Sequence, residues 1–376
     1  MKIFLFDMDG VLLESRGYHL ALQETVRRMA LALGFVNAGL SPEDIATFEA
    51  GSITCEWDEA AICTALLLET VWKDDPECNL PDSLAQIDSI NPKPRSLPDF
   101  TWLARVLSTP EMLPLHPIER AMRFFLGVDD HPASQEQILR DLILGARLAE
   151  ISLTHRTFQE LVLGSEEFGH TYDISPELNS ESYLLKYDRS NLSPLESARL
   201  KDWIATPDHA TAVITSRPSR PPAGIFSTPE AELGARLVGL EGIPILGWGG
   251  MCWLGLQRHN DPQTFLKPSP IHALAGLRMA CGENQETALI EAAHLIETGL
   301  AGTAWQPLVD AHVSVFEDTP GGIKSLQAAK VALEKAGIRI ETKYYGIAQM
   351  PIKVNALKAN GAIVFPSLVD LLEHIY

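Results

Sequence analysis

The stretch KIFLFDMDGVLLES, residues 2–15, decides how the chain is read. Ile3 to Phe6 is a continuous apolar run, the pattern of a short strand buried on both faces rather than one. The run ends in two acids, Asp7 and Asp9, followed by Gly10 and a second apolar stretch, Val11 to Leu13. Neighbouring carboxylates repel each other and lose free energy on leaving water. Two readings fit: solvated turn residues, or a pair with something positive or reactive between them.

The rest of the chain narrows the choice. It has 376 residues, 46% of them hydrophobic, enough for a large core and more than one domain. The formal net charge of -19 disfavours nucleic acid and anionic lipid as partners. It leaves room for an anionic small molecule, because a local metal or lysine reverses the field at one site. The five cysteines form no CxxC pair and are odd in number, so neither a zinc site nor a disulfide framework is expected. Asp7 and Asp9 break the N-terminal apolar run, and no small-residue cleavage site follows, so it does not read as a secretory leader. No run reaches the roughly 18 uncharged apolar residues of a membrane span. A soluble cytoplasmic protein, monomer or homodimer, is expected.

Helical spacing of Leu22, Val26, Met29 and Leu33, with Gly34 beyond, predicts a helix over 18–33. From about 41 to 205 the texture is helical: blocks at 57–72, 134–152 and 157–163 alternate with the proline-rich connectors NPKPRSLPDF (91–100) and TPEMLPLHP (109–117). Strands and helices alternate afterwards. Strands are expected at 210–214, 243–246, 312–316, 343–348 and 361–365, and helices at 230–238, 323–336 and 368–375. The fold class is therefore α/β: a Rossmann-like parallel sheet core with a large, mostly α-helical cap inserted after the first strand. The expected boundaries are 1–15 plus 206–376 for the core and 16–205 for the cap.

Four segments share one address, the carboxyl end of a strand or the loop beside it, where open α/β sheets bind ligands. They are FDMDGVLL (6–13), VITSR (213–217), FLKPSP (265–270) and VFEDTPGGI (315–323). Their inventory suits phosphoryl transfer through a carboxylate nucleophile and one divalent metal. A phosphate ester is an anion, and two like charges about 4 Å apart repel by roughly 4 kcal/mol at an effective dielectric near 20. A magnesium ion bridging Asp7, Asp318 and a phosphate oxygen turns that repulsion into attraction. Lys267 adds positive charge beside the nucleophile. Thr215 offers a hydroxyl, and the amides after it, at Ser216 and Arg217, offer donors. Asp9 would hold a proton for the leaving oxygen and later take one from water, which calls for a raised pKa.

With these segments in place, the chain resembles the haloacid dehalogenase-like superfamily, specifically its phosphatase and phosphomutase members. DMDGV matches its Asp-x-Asp-Gly-(Val/Thr) motif, AVITS its strand ending in Ser or Thr, LKPSP its lysine, and VFEDTPGGI its acidic pair. FEDTPGGI is closest to the pattern of the β-phosphoglucomutase and phosphoglycolate phosphatase group, and GYHLALQETV (17–26) resembles the start of that group's helical cap. The resemblance implies Asp7 as nucleophile and magnesium ligand, and Asp9 as general acid/base with a carbonyl on the metal. It implies Thr215, Ser216 and Lys267 on the phosphoryl group, Asp318 on magnesium, and Glu317 as a ligand through water or a partner behind the ligands. A second acid at position 9 argues against dehalogenation, which needs no proton donor for the leaving group.

The resemblance covers residues 1–35 and roughly 205–330, while the insert is longer than that group's ordinary cap. GWGGMCWLG (247–255) has two readings, a pocket lining or a strand end packed in the core. Arg217 and Arg220 fit either an anionic substrate or surface acids. His19 fits either a substrate contact at the cap entrance or an amphipathic helix start. The expected function is a magnesium-dependent phosphatase acting on a small phosphorylated metabolite through an aspartyl-phosphate. A phosphomutase uses the same residues, and a non-catalytic binding module would keep the fold alone.

Overall fold

Alternate residues of the first strand belong to different cores. Ile3 and Leu5 pack into one hydrophobic cluster with Ala212, Ile214, Val313 and Val315. Phe4 and Phe6 pack into another with Val213 and Phe316. Side chains alternate across a strand, so a strand with helices on both faces must be apolar at every position. That is why the run Ile3 to Phe6 shows no polar alternation.

The computed structural model describes residues 1–84, 96–127, 131–148 and 151–375. Two compact units result, Met1–Ser15 with Asp188–Tyr376, and Arg16–Tyr187.

The first unit is α/β. Its strands are β1 (Lys2–Phe6), β2 (Leu13–Glu14), β3 (Arg189–Ser190), β4 (His209–Ile214), β5 (Ile245–Leu246), β6 (Ala311–Glu317), β7 (Ile340–Ile347) and β8 (Ile363–Phe365). Six form one sheet in the order β5-β4-β1-β6-β7-β8, every pair parallel. The chain builds outward from β4 to β5, then returns to the other side of β1 for β6. In open α/β sheets such a reversal is where ligands bind, here at the carboxyl ends of β1, β4 and β6. β2 and β3 form a separate antiparallel pair, Leu13 opposite Ser190 and Glu14 opposite Arg189.

The boundary after the insert falls at 187/188, not at 205/206. The helix Pro194–Ile204 belongs to the α/β unit because Trp203 stacks on Phe4, centroids 3.6 Å apart, and Leu200 is buried in the Phe4 cluster. Helices Pro270–Ala280 and Gln285–Thr298 were not read from the sequence. GWGGMCWLG is not a strand end. It opens the helix Trp248–Arg258, whose Met251, Trp253 and Leu254 are buried in the Ile3 cluster. Cys252, Gly255 and Leu256, on its outer side, line an open cavity of about 460 Å³ with Ile225, Phe226 and Pro262, and the tryptophans do not reach it.

Among its described residues the second unit has helices and no strands, from Gly17–Ala32 to Tyr183–Tyr187. Helix Glu56–Trp72 runs through its interior and is buried almost all round. Its Asp58 is fully buried and takes both oxygens to Arg147, at 2.9 and 2.8 Å. The expected block at 134–152 is shorter, Ala133–Leu144, because Gly145 closes it. Ser152 then caps a new helix, Leu153–Leu163, by accepting from the His155 amide. Part of the connector at 91–100 lies outside the described residues. Among the described residues no helix is long and apolar enough to cross a membrane.

Phe316 stands at the centre of the aromatic face. Its ring is fully buried, 4.4 Å from Phe6, 4.9 Å from Phe4 and 5.5 Å from Tyr345. Phe316→Ala is expected to lower the unfolding free energy of the α/β unit by about 3–5 kcal/mol. Urea unfolding followed by circular dichroism measures it, and a loss below about 1 kcal/mol would contradict this packing.

Candidate functional site

β1, β4 and β6 each end in a residue whose side chain carries chemistry. Asp7 follows Phe6, Thr215 follows Ile214, and Glu317 and Asp318 close β6. The Asp7 amide extends the ladder by donating to the Phe316 carbonyl at 2.9 Å, so its side chain is held at the tip. One ligand atom each from Asp7, Glu317 and Asp318 lies within 4.8 Å of the others.

Lys267 joins two of these acids. Its Nζ lies 2.8 Å from Asp7 Oδ1 and 2.7 Å from Glu317 Oε1, and its side chain is only 7% exposed. Its backbone amide donates to His272 Nδ1 at 3.3 Å, while His272 Nε2 lies 3.1 Å from the Leu246 carbonyl. That pattern assigns the proton to Nε2. Burial, helped by Lys267, pulls the His272 pKa down to about 3, so the ring stays neutral and aligns the lysine loop. Nothing in the spacing of LKPSPIH marks that role, because it arises from a loop folding back onto its own helix.

The acids feel opposite fields. Burial pushes the Asp7 pKa up, with Lys267 opposing it. Burial also pushes Glu317 well above the ordinary carboxylate range, with the neighbouring Asp7 adding to it. For Lys267, burial lowers the pKa, but the charges of Asp7 and then Glu317 outweigh it and the net shift is upward.

Asp9 corrects an expectation. Burial raises its pKa, but the charge and hydrogen bonds of Arg217, with a hydrogen bond from Ser15, outweigh burial and hold it below the ordinary value. Arg217 Nε lies 2.8 and 2.9 Å from the two Asp9 oxygens, and Nη2 lies 2.6 Å from Oδ1. The raised pKa expected of a proton carrier is absent because the guanidinium clamps the ionised form. Nor does Arg217 pair with surface acids. It is buried and spans Asp9, Ser15 (2.9 Å) and Asp188 (2.9 Å). Asp188 was missed. It has no motif, and it becomes relevant only because the chain re-enters the α/β unit there.

The remaining candidates divide. Thr215 is fully buried, and its Oγ1 accepts from the Arg217 amide at 3.2 Å, fixing the turn after β4. Ser216 and Arg220 are exposed. His19 lies in the helical unit, where it pairs with Glu49 at 3.1 Å. Asp318 takes an ion pair from Lys353 at 2.6 Å, a residue that sequence reasoning passed over.

Two glycines let the acids converge. Gly10, at φ +74°, passes so close to Asp318 that a Cβ would lie 2.5 Å from its carboxylate. At Gly322 a Cβ would lie 1.7 Å from Glu317 Oε1. Backbone can pass so close only where there is no side chain.

These donors suit a hard divalent cation. All three acids offer oxygen, and Glu317 Oε2 is buried with no donor to it among the described residues. A buried carboxylate oxygen without a partner is costly unless a cation or water meets it.

No family model matches the chain, and no curated protein does. An X-ray structure from the Northeast Structural Genomics Consortium is similar over 100% of this chain and 98% of that one, with TM-score 0.61 and 15% identity. At that identity the likeness supports the fold alone.

Arg217→Met removes the guanidinium that Asp9 and the buried Asp188 share. Breaking such a buried pair is expected to cost about 3–5 kcal/mol near neutral pH. The sign follows from the lowered pKa of Asp9. Its stabilisation is complete above its ordinary value of 3.8 and fades as pH falls through the lower folded value. Thermal unfolding of both proteins should therefore show the gap narrowing below that pH. A gap that widens on acidification would contradict the clamp.

Proposed function

We propose that the α/β unit is a magnesium-dependent phosphatase of the haloacid dehalogenase-like kind, acting on a small phosphorylated metabolite. The observation that carries this reading is the convergence at one sheet edge of Asp7, Glu317 and Asp318 with the buried Lys267 ammonium on Asp7. A carboxylate nucleophile, an acidic metal-binding pair and a fixed cation are what phosphoryl transfer to a carboxylate requires.

In this reading Asp7 is the nucleophile. A carboxylate oxygen attacks phosphorus, the ester P–O bond breaks, and the phosphoryl group passes to Asp7. Lys267, held by Asp7 and Glu317, stays beside that oxygen and offsets negative charge as it accumulates. Asp9 gives a proton to the departing alkoxide and later takes one from the water that attacks the aspartyl-phosphate, releasing inorganic phosphate. The Arg217 clamp favours the base half of that cycle. The acid half requires Asp9 to take up a proton against the clamp, which an arriving anionic phosphate favours. The Arg217 amide is engaged by Thr215 Oγ1, so the Ser216 amide is the one that would serve the phosphoryl group. Asp7, Asp318 and Glu317 would hold the magnesium ion, with the Asp9 carbonyl as a further donor. When bound, it neutralises the phosphate and draws electron density from phosphorus.

The test is phosphate release from sugar phosphates, nucleotides, phosphoglycolate and an aryl phosphate, with and without magnesium. Wild type should release phosphate only with the cation, and Asp7→Asn should lose about 10³-fold or more. Unchanged turnover in Asp7→Asn would overturn the nucleophile. Turnover that survives exhaustive chelation would overturn the metal. Isomerisation of a sugar phosphate without net phosphate release would instead favour a phosphomutase using the same residues.

A further inference from the structure

Two ammonium groups meet the three acids, and they are held very differently. Lys267 is buried, takes two carboxylates, and has its backbone fixed by His272. Lys353 stands in the first turn of the helix Pro351–Ala359, beyond the carboxyl end of β7, the strand next to β6. Among the described residues it makes one ion pair, 2.6 Å from Asp318 Oδ2, with its side chain 47% exposed against 14% for Asp318. Half-exposed ion pairs are weak and readily exchanged, whereas a buried pair is not. Lysine carries its charge on a flexible four-carbon stem, so the ammonium can leave one oxygen for another nearby.

Asp318 is also a member of the acid cluster that suits a cation. Electron pairs engaged by an ammonium are withheld from a metal, so the two compete for the same carboxylate. The charges agree. Three carboxylates face two ammonium groups, and a divalent cation added to all of them leaves a positive excess. If Lys353 leaves Asp318, the count balances. An arriving phosphate then restores a negative excess, beside a lysine with no other task.

We infer that Lys353 is an exchangeable partner of Asp318: a divalent cation displaces its ammonium, which then binds a phosphate oxygen of the substrate. The second half rests on the phosphatase reading above, and the first half does not. Lys353 thus links cation loading to substrate affinity. It is a substrate-binding residue that none of the four strand-end motifs contains.

The test uses the full chain and two binding measurements by titration calorimetry, magnesium alone and inorganic phosphate at saturating magnesium. Removing the competitor in Lys353→Met should tighten magnesium binding by roughly fivefold to tenfold and weaken phosphate binding by about tenfold. Lys358→Met is the charge control, on the same helix but more than a turn further along. It should move each affinity by less than about twofold, the size expected of a screened field. Magnesium or phosphate affinity left unchanged in Lys353→Met would overturn the exchange, as would equal shifts in Lys358→Met. Asp318→Asn separates the two levels of failure. If it binds magnesium as wild type does, the acids are not the cation's site and the phosphatase reading falls as well. If it alone loses magnesium while Lys353→Met matches wild type, only the exchange falls.

Discussion

The Lys267 ammonium between Asp7 and Glu317 is the interaction on which the site depends. Without it, two buried carboxylates would face each other at the tips of adjacent strands, with Asp318 one residue away. At 2.8 Å the Coulomb attraction of one such pair is about 6 kcal/mol at an effective dielectric of 20. Taking each ion out of water costs several kcal/mol, so the lysine offsets much of the burial and not all of it. The upward shifts of Asp7 and Glu317 record the remainder. The site is therefore short of positive charge, and that shortage is what suits it to a cation.

The same physics, differently weighted, separates Asp9 from Asp7. Both are near the end of β1, and burial raises both. Asp9 meets a guanidinium that engages both its oxygens, and the balance reverses. Arg217 can do this because Asp188 and Ser15 hold it from other directions. Two acids two positions apart thus acquire opposite tendencies from partners more than 180 residues away in the chain.

The sheet makes these meetings possible. Its strand order reverses at β1, so the segments after β1, β4 and β6 share one edge although they are dispersed from residue 7 to residue 318. Asp7, Thr215, Glu317 and Asp318 were legible in advance because each follows an apolar run that reads as a buried strand, and each is a residue type with chemistry to offer; Lys267 was legible from its LKPSP segment, which the fold places just before the helix Pro270–Ala280 rather than at a strand end. Lys353, Asp188 and His272 were not. Each acts through contacts made by the fold, and nothing in its neighbouring residues distinguishes it from an ordinary surface lysine, a linker acid or a helix histidine. The tryptophan-glycine stretch at 247–255 was misplaced for a related reason: a short apolar run looks alike in a strand and in a buried helix, and its partners decide.

Local pattern determined the α/β class, the parallel sheet, the helical insert after the first strand and most acids of the site, because strand burial and helix periodicity are written in adjacent residues. The tertiary structure alone decided which cation each acid meets, where the insert ends, and which of Asp7 and Asp9 is driven toward its protonated form. Those outcomes depend on burial and on distances of a few ångströms between remote segments, and a carboxylate's charge state follows from the sum of such contacts rather than from its place in a motif.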